Sequence, residues 1–92
     1  MPKLTTAELQ TALQARSAWA LEDEMLTRTF QFDDFVAAIA FVNRVAEYAE
    51  QAAHHPDIDI RYNHVRIGLT THDDGGISEK DVALATQLDS IA

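Results

Sequence analysis

The periodicities in this 92-residue chain predict an α+β fold in the order αββαββα: a four-stranded antiparallel sheet with three helices packed on one face. Three observations carry that expectation. Two pairs of alternating apolar and polar stretches, residues 19–21 with 25–32 and residues 58–63 with 65–71, are separated by breaks short enough for hairpins. Between residues 35 and 53, apolar side chains recur instead at three- and four-residue intervals. Thr5, Asp34 and Ser78 stand where helix starts need side-chain acceptors or negative charge.

Thr5 and Glu8 form a capping-box pattern, from which a short helix runs to about Ala15. Trp19 and Leu21 begin the first hairpin, Asp23 and Glu24 break it, and Leu26, Phe30 and Phe32 share one side of its second strand. Arg28 interrupts that face with a stem that can lie along apolar neighbours while its guanidinium reaches water.

Asp33 and Asp34 open a long helix at the positive end of its dipole. Phe35, Ile39, Val42, Ala46, Ala49 and Ala53 are expected to form its buried stripe, with Asn43, Arg44, Glu47, Glu50 and Gln51 facing elsewhere. Pro56 bars His55 from helical angles, so the helix is expected to stop at the histidines.

In the second hairpin Ile58, Ile60 and Tyr62 face one way, Asp59, Arg61 and Asn63 the other, and Asn63-His64 is the expected turn. Val65, Ile67, Leu69 and Thr71 continue the apolar face, leaving Arg66, Thr70 and His72 on the opposite side. Asp73-Asp74-Gly75-Gly76 reads as a turn. Ser78 caps the last helix, where Ile77 and Val82 are spaced as a hydrophobic staple and Ala85 and Leu88 extend the stripe. Residues 1–92 read as a single domain without repeats or linkers. A small sheet with one free face and unprotected edges is expected to pair with further copies, as a homodimer or homotetramer.

A formal charge of −8, from 15 acidic against 7 basic residues, argues against direct binding of nucleic acid or an anionic membrane surface. The absence of cysteine excludes disulfides, thiolate metal sites and a cysteine nucleophile. Residues 1–4 run into a helical pattern without the charged and then apolar stretch of a secretory signal, so a cytoplasmic location is expected. The longest apolar-rich run, residues 35–42, is too short to span a bilayer.

Chemistry concentrates in the histidines. Three of the four, His54, His55 and His72, fall between the end of the long helix and the end of the second hairpin, and imidazole is the side chain best suited to proton transfer near neutral pH. Glu50 lies four residues before His54, about 40° around the helix, where a carboxylate favours the charged imidazole or fixes its tautomer. Taken alone, that pair reads as an exposed helical contact worth roughly 0.2–0.5 kcal/mol. His55 lies about 100° further round, and both imidazoles also suit a helix C-terminus electrostatically. The spacing matches no common metal-ligand pattern, since two helical ligands normally stand at i and i+4, so no metal is expected. His64 reads as an exposed loop residue, and Asp81 either as a capping partner of Ser78 or as an acid reaching the histidines.

Glu50, then His54-His55-Pro56, Tyr62, His72 and Asp81 fix seven positions over 32 residues, and this spacing resembles the pterin-4a-carbinolamine dehydratase family. The segment TTHDDGGISEKD is similar to that family's strand, turn and helix, and the element order is the family's fold. The resemblance implies removal of water from 4a-hydroxytetrahydropterin, the product of pterin-dependent aromatic amino acid hydroxylases, giving quinonoid dihydropterin without metal or organic cofactor. It implies His54 and His72 as principal proton-transfer groups and His55 as a group that binds pterin or stabilises charge. It further implies that Glu50 orients His54, Asp81 supports the site or contacts substrate, and Pro56 and Tyr62 shape the pocket. Ala53 and Ile58 stand where some members carry an acid and an aromatic residue, changes that bear on substrate affinity. A binding or dimerisation module of the same fold, acting as an accessory or regulatory partner, is the competing expectation.

Overall fold

The computed structural model describes residues 2–92; Met1, the first residue of the stretch read above for a secretory signal, lies outside the described residues. The elements are α1 (Thr6–Ala15), β1 (Ala20–Glu22), β2 (Met25–Gln31), α2 (Phe35–Ala52), β3 (Asp57–Arg61), β4 (His64–Leu69), a single 3₁₀ turn (His72–Asp74) and α3 (Glu79–Ile91). The four strands lie in the order β1-β2-β4-β3 with every neighbouring pair antiparallel, giving the predicted α+β architecture. None of the described helices is long and apolar enough to cross a membrane.

The register sorts side chains between faces. Leu26 stands opposite Leu69, Phe30 opposite Val65, and Arg28 opposite Ile67, so the alternating apolar positions of β2 and β4 share the helix-facing side. Leu26, Phe30, Val65, Ile67 and Leu69 are buried there against Val82, Leu84, Ala85 and Leu88 of α3 and Ala38, Phe41 and Val45 of α2. Ile58 and Ile60 occupy the same face of β3, opposite Ile67 and Val65, yet stay partly exposed because β3 forms the outer edge.

The predicted Thr5–Glu8 capping box forms. Thr5 and Glu8 exchange hydrogen bonds at 3.1 and 2.9 Å, which hold the Glu8 carboxyl below its ordinary value of 4.5, chiefly through the Thr5 backbone amide. Asp34 caps α2 by accepting from the Ala37 amide at 2.8 Å. Arg28 stays partly exposed, and the sequence did not show its partners: its Nη1 donates to Asp89 Oδ1 at 2.6 Å and its guanidinium lies 4.1 Å from the centre of the Phe30 ring. Trp19 Nε1 donates to the same carboxylate at 2.8 Å, tying the chain before β1 to the end of α3.

The buried phase of α2 is also different. Ala38, Phe41, Val45 and Ala49 face the core, whereas Phe35 is 49% exposed and Ala46 faces solvent. The helix is apolar around a wide arc, and ring packing chooses the phase: Phe41 sits 4.6 Å from Phe30 and 5.0 Å from Phe32, centre to centre. Its end comes earlier than expected. Ala53 adopts the left-handed conformation (φ 51°), and the amides of Ala53 and His54 close onto Glu50 O and Ala49 O at 3.2 and 3.1 Å. His54 and His55 therefore leave the helix rather than complete it.

The turn of the second hairpin is Tyr62-Asn63, not Asn63-His64; Tyr62 takes φ 51° and His64 begins β4. Asn63 fixes this arrangement, since its side-chain amide donates to Phe32 O at 2.8 Å while its own carbonyl accepts from Phe32 N at 2.9 Å. After β4, an isolated bridge between Thr71 and Gly76 closes the His72–Asp74 turn, with Gly75 (φ 81°) supplying the left-handed residue the turn needs.

Candidate active site

The reversal at Ala53 and the bridge at Thr71 bring two chain segments together at one end of the sheet. His54, His55 and His72 line a single cavity of about 250 Å³ with Ala53, Thr70, Thr71, Asp73 and Lys80. The two adjacent imidazoles come from the exit of α2, and His72 from the first position of the 3₁₀ turn, not from the free face of β4 as its alternation suggested.

His54 is the inward member of the pair, with 12% of its side chain exposed. Its Nε2 lies 2.5 Å from Oδ1 of Asp81, a fully buried carboxylate at the start of α3. The other oxygen, Oδ2, accepts from the Ser78 amide at 2.9 Å and from the Thr71 hydroxyl at 2.7 Å. Both readings of Asp81 are thus realised at once: one oxygen completes the capping box of α3 and the other braces an imidazole. Three donors around a buried carboxylate offset the cost of removing it from water.

His55 points outward and its Nε2 meets Glu50 Oε2, both side chains being largely exposed. This corrects the expected pairing of Glu50 with His54. The helical i, i+4 relation fails because His54 lies beyond the left-handed residue, and the reversal delivers the next imidazole to Glu50 instead. Pro56 follows the pair, half-buried, as β3 begins. Tyr62 is 66% exposed in the hairpin turn, and neither it nor Pro56 is among the residues lining the cavity.

Sequence reasoning missed Thr70, Thr71, Asp73 and Lys80 as lining residues. Thr71 gave no polar signal because alternation placed it on the apolar side of β4. Lys80, next to Asp81 in the first turn of α3, brings a cation to a cavity otherwise provided with imidazoles and an acid. No three His, Asp or Glu side chains among the described residues are grouped to hold a metal ion. The arrangement supplies imidazoles from two chain segments facing a shared space, one of them held by a buried carboxylate, which is equipment for moving protons to and from a bound molecule.

Comparison with known proteins shows the family. Residues 2–91 match the family model described as pterin 4 alpha carbinolamine dehydratase. A Chloroflexus aurantiacus protein named "Putative pterin-4-alpha-carbinolamine dehydratase" is 57% identical over 91 residues, covering 99% of this chain and 98% of the relative. The crystal structure of a transcriptional coactivator/pterin dehydratase from Brucella melitensis superposes with a TM-score of 0.94 at 39% identity, covering 98% of each chain. A pterin dehydratase-like protein identified as a RuBisCO assembly factor in the alpha-carboxysome superposes with a TM-score of 0.71 at 26% identity, covering 82% of this chain and 89% of that one. With the family model spanning almost every residue and the histidine cavity lying within it, the chain belongs to the pterin-4a-carbinolamine dehydratase family.

Proposed function

We propose that this protein dehydrates 4a-hydroxytetrahydropterin, of which 4a-hydroxytetrahydrobiopterin is the type substrate, to quinonoid dihydropterin and water. The observation that carries the reading is the lining of one cavity by His54, His55 and His72, with His54 braced by buried Asp81. In the reaction the C4a–O bond breaks with its electron pair on oxygen, which takes a proton from one imidazolium and leaves as water. The N5 proton passes to the other imidazole, and the N5 electrons close the N5=C4a double bond. Solvent returns the proton between the two rings before the next turnover. His54 and His72 are the two proton-transfer groups, and positioned groups of this kind contribute about 10²- to 10⁴-fold. His55 binds the pterin or stabilises developing charge, with Glu50 as its hydrogen-bond partner. No cofactor takes part, and the product returns to the pterin pool of an aromatic amino acid hydroxylase.

In the same reading the protein works as a homodimer or homotetramer. All five residues of β3 are exposed along an outer edge of the sheet. Antiparallel pairing of two such edges about Ile60 would set Asp59 of each copy opposite Arg61 of the other, a self-complementary arrangement.

The test follows the ultraviolet absorbance of the 4a-hydroxypterin intermediate with no protein, with wild type, and with His54→Ala and His72→Ala. Wild type is expected to speed the decay and each variant to lose most of that gain. The likeness to the RuBisCO assembly factor favours a second reading, in which the fold assists assembly without turnover; equal decay in all four samples would select it.

A further inference from the structure

Thr71 is 5% exposed and sits in the bridge that closes the His72–Asp74 turn, exchanging backbone hydrogen bonds with Gly76 at 3.1 and 3.2 Å. Valine is β-branched like threonine and would serve that backbone as well, so strand geometry does not call for the hydroxyl.

The hydroxyl is committed elsewhere. Thr71 Oγ1 lies 2.7 Å from Asp81 Oδ2 and 3.0 Å from Ser78 Oγ. An ionised carboxylate only accepts, so the Thr71 proton goes to Asp81 and its oxygen accepts in turn from the Ser78 hydroxyl. The two hydroxyls thus form a chain with one direction, ending on Oδ2. The Ser78 amide reaches the same oxygen at 2.9 Å. With two donors on Oδ2, the carboxylate resists rotation about Cβ–Cγ, and Oδ1 is kept for Nε2 of His54 at 2.5 Å. An accepting Oδ1 requires the proton on Nε2, which leaves Nδ1 as the lone-pair nitrogen of the neutral ring.

We propose that Thr71 is a positioning residue: acting through Asp81, its hydroxyl fixes His54 as the Nε2–H tautomer and so assigns Nδ1 as the nitrogen that exchanges a proton with the substrate. The catalytic half of this inference rests on the dehydratase reading; the tautomer half does not.

The experiment compares wild type, Thr71→Val and Thr71→Ser by long-range nitrogen–proton NMR of the histidine rings at about pH 8.5, well above the ordinary imidazole range. Steady-state dehydration is measured on the same samples. Wild type and Thr71→Ser are expected to give the Nε2–H pattern for His54. Thr71→Val is expected to mix both tautomers and to lose about tenfold in kcat with KM unchanged, a loss that serine restores. Amide dispersion equal to wild type identifies a folded variant, and serine carries the comparison should valine disturb the fold. An Nε2–H pattern and full kcat in Thr71→Val would overturn the proposal, as would a wild-type His54 protonated on Nδ1. Tautomer mixing in Thr71→Val with no turnover in wild type would reject the dehydratase reading while leaving the hydroxyl's hold on His54 in place.

Discussion

Nε2 of His54 and Oδ1 of Asp81 meet at 2.5 Å across 27 positions of sequence, joining the exit of α2 to the first turn of α3. The same carboxylate caps α3, so forming that helix start also sets the orientation of an imidazole in the cavity.

Asp81→Asn separates shape from charge. If the asparagine oxygen keeps the donors from Ser78 and Thr71, its NH₂ group faces His54 and demands a bare Nε2, the opposite tautomer. We expect kcat to fall by about 10²- to 10⁴-fold while the urea midpoint reports a loss of only about 1–2 kcal/mol. A variant that retains wild-type kcat would contradict the role given to this pair.

The phase of α2 is tested by two phenylalanines with the same chemistry. Phe41→Ala empties a buried site between Phe30 and Phe32 and is expected to cost about 3–5 kcal/mol in urea unfolding, against less than about 1 kcal/mol for Phe35→Ala. The reverse order would restore the stripe read from sequence.

On the acid side, Glu22 makes stability depend on pH. Its hydrogen bond from the Thr27 hydroxyl, with a further one from Arg66, lowers its pKa below the ordinary 4.5. A carboxylate depressed in the folded state adds stability above its unfolded value and loses it as pH falls through the folded one. Wild type is therefore expected to exceed Glu22→Gln in thermal midpoint at neutral pH, and the two curves to converge in acid. A gap independent of pH would contradict this.

For assembly, light scattering at micromolar concentration is expected to give a dimer or tetramer for wild type and a smaller species for Ile60→Lys. That substitution sets like charges against each other at the centre of the paired edges. A wild type that is monomeric at that concentration would refute the pairing.

The sequence carried the element order, the Thr5–Glu8 capping box, the Ser78 cap and the grouping of His54, His55 and His72, because caps and alternation are local properties of neighbouring residues. It misjudged what depends on contacts between distant elements. The phase of α2 was chosen by Phe30 of β2 and Phe32 just beyond it, and the partner of each imidazole by the left-handed turn at Ala53. An alanine in that conformation leaves no mark that glycine would have left. Thr71 read as the apolar-side end of a strand, since only the folded chain brings Asp81 to its hydroxyl.

The central claim, that one cavity shared by three imidazoles receives a pterin, is tested most directly by titrating the protein with a dihydropterin and following the ring signals of all four histidines by NMR. The account predicts saturable shifts at His54, His55 and His72, with His64 at the start of β4 unmoved. Shifts confined to His64, or none at saturating pterin, would contradict it.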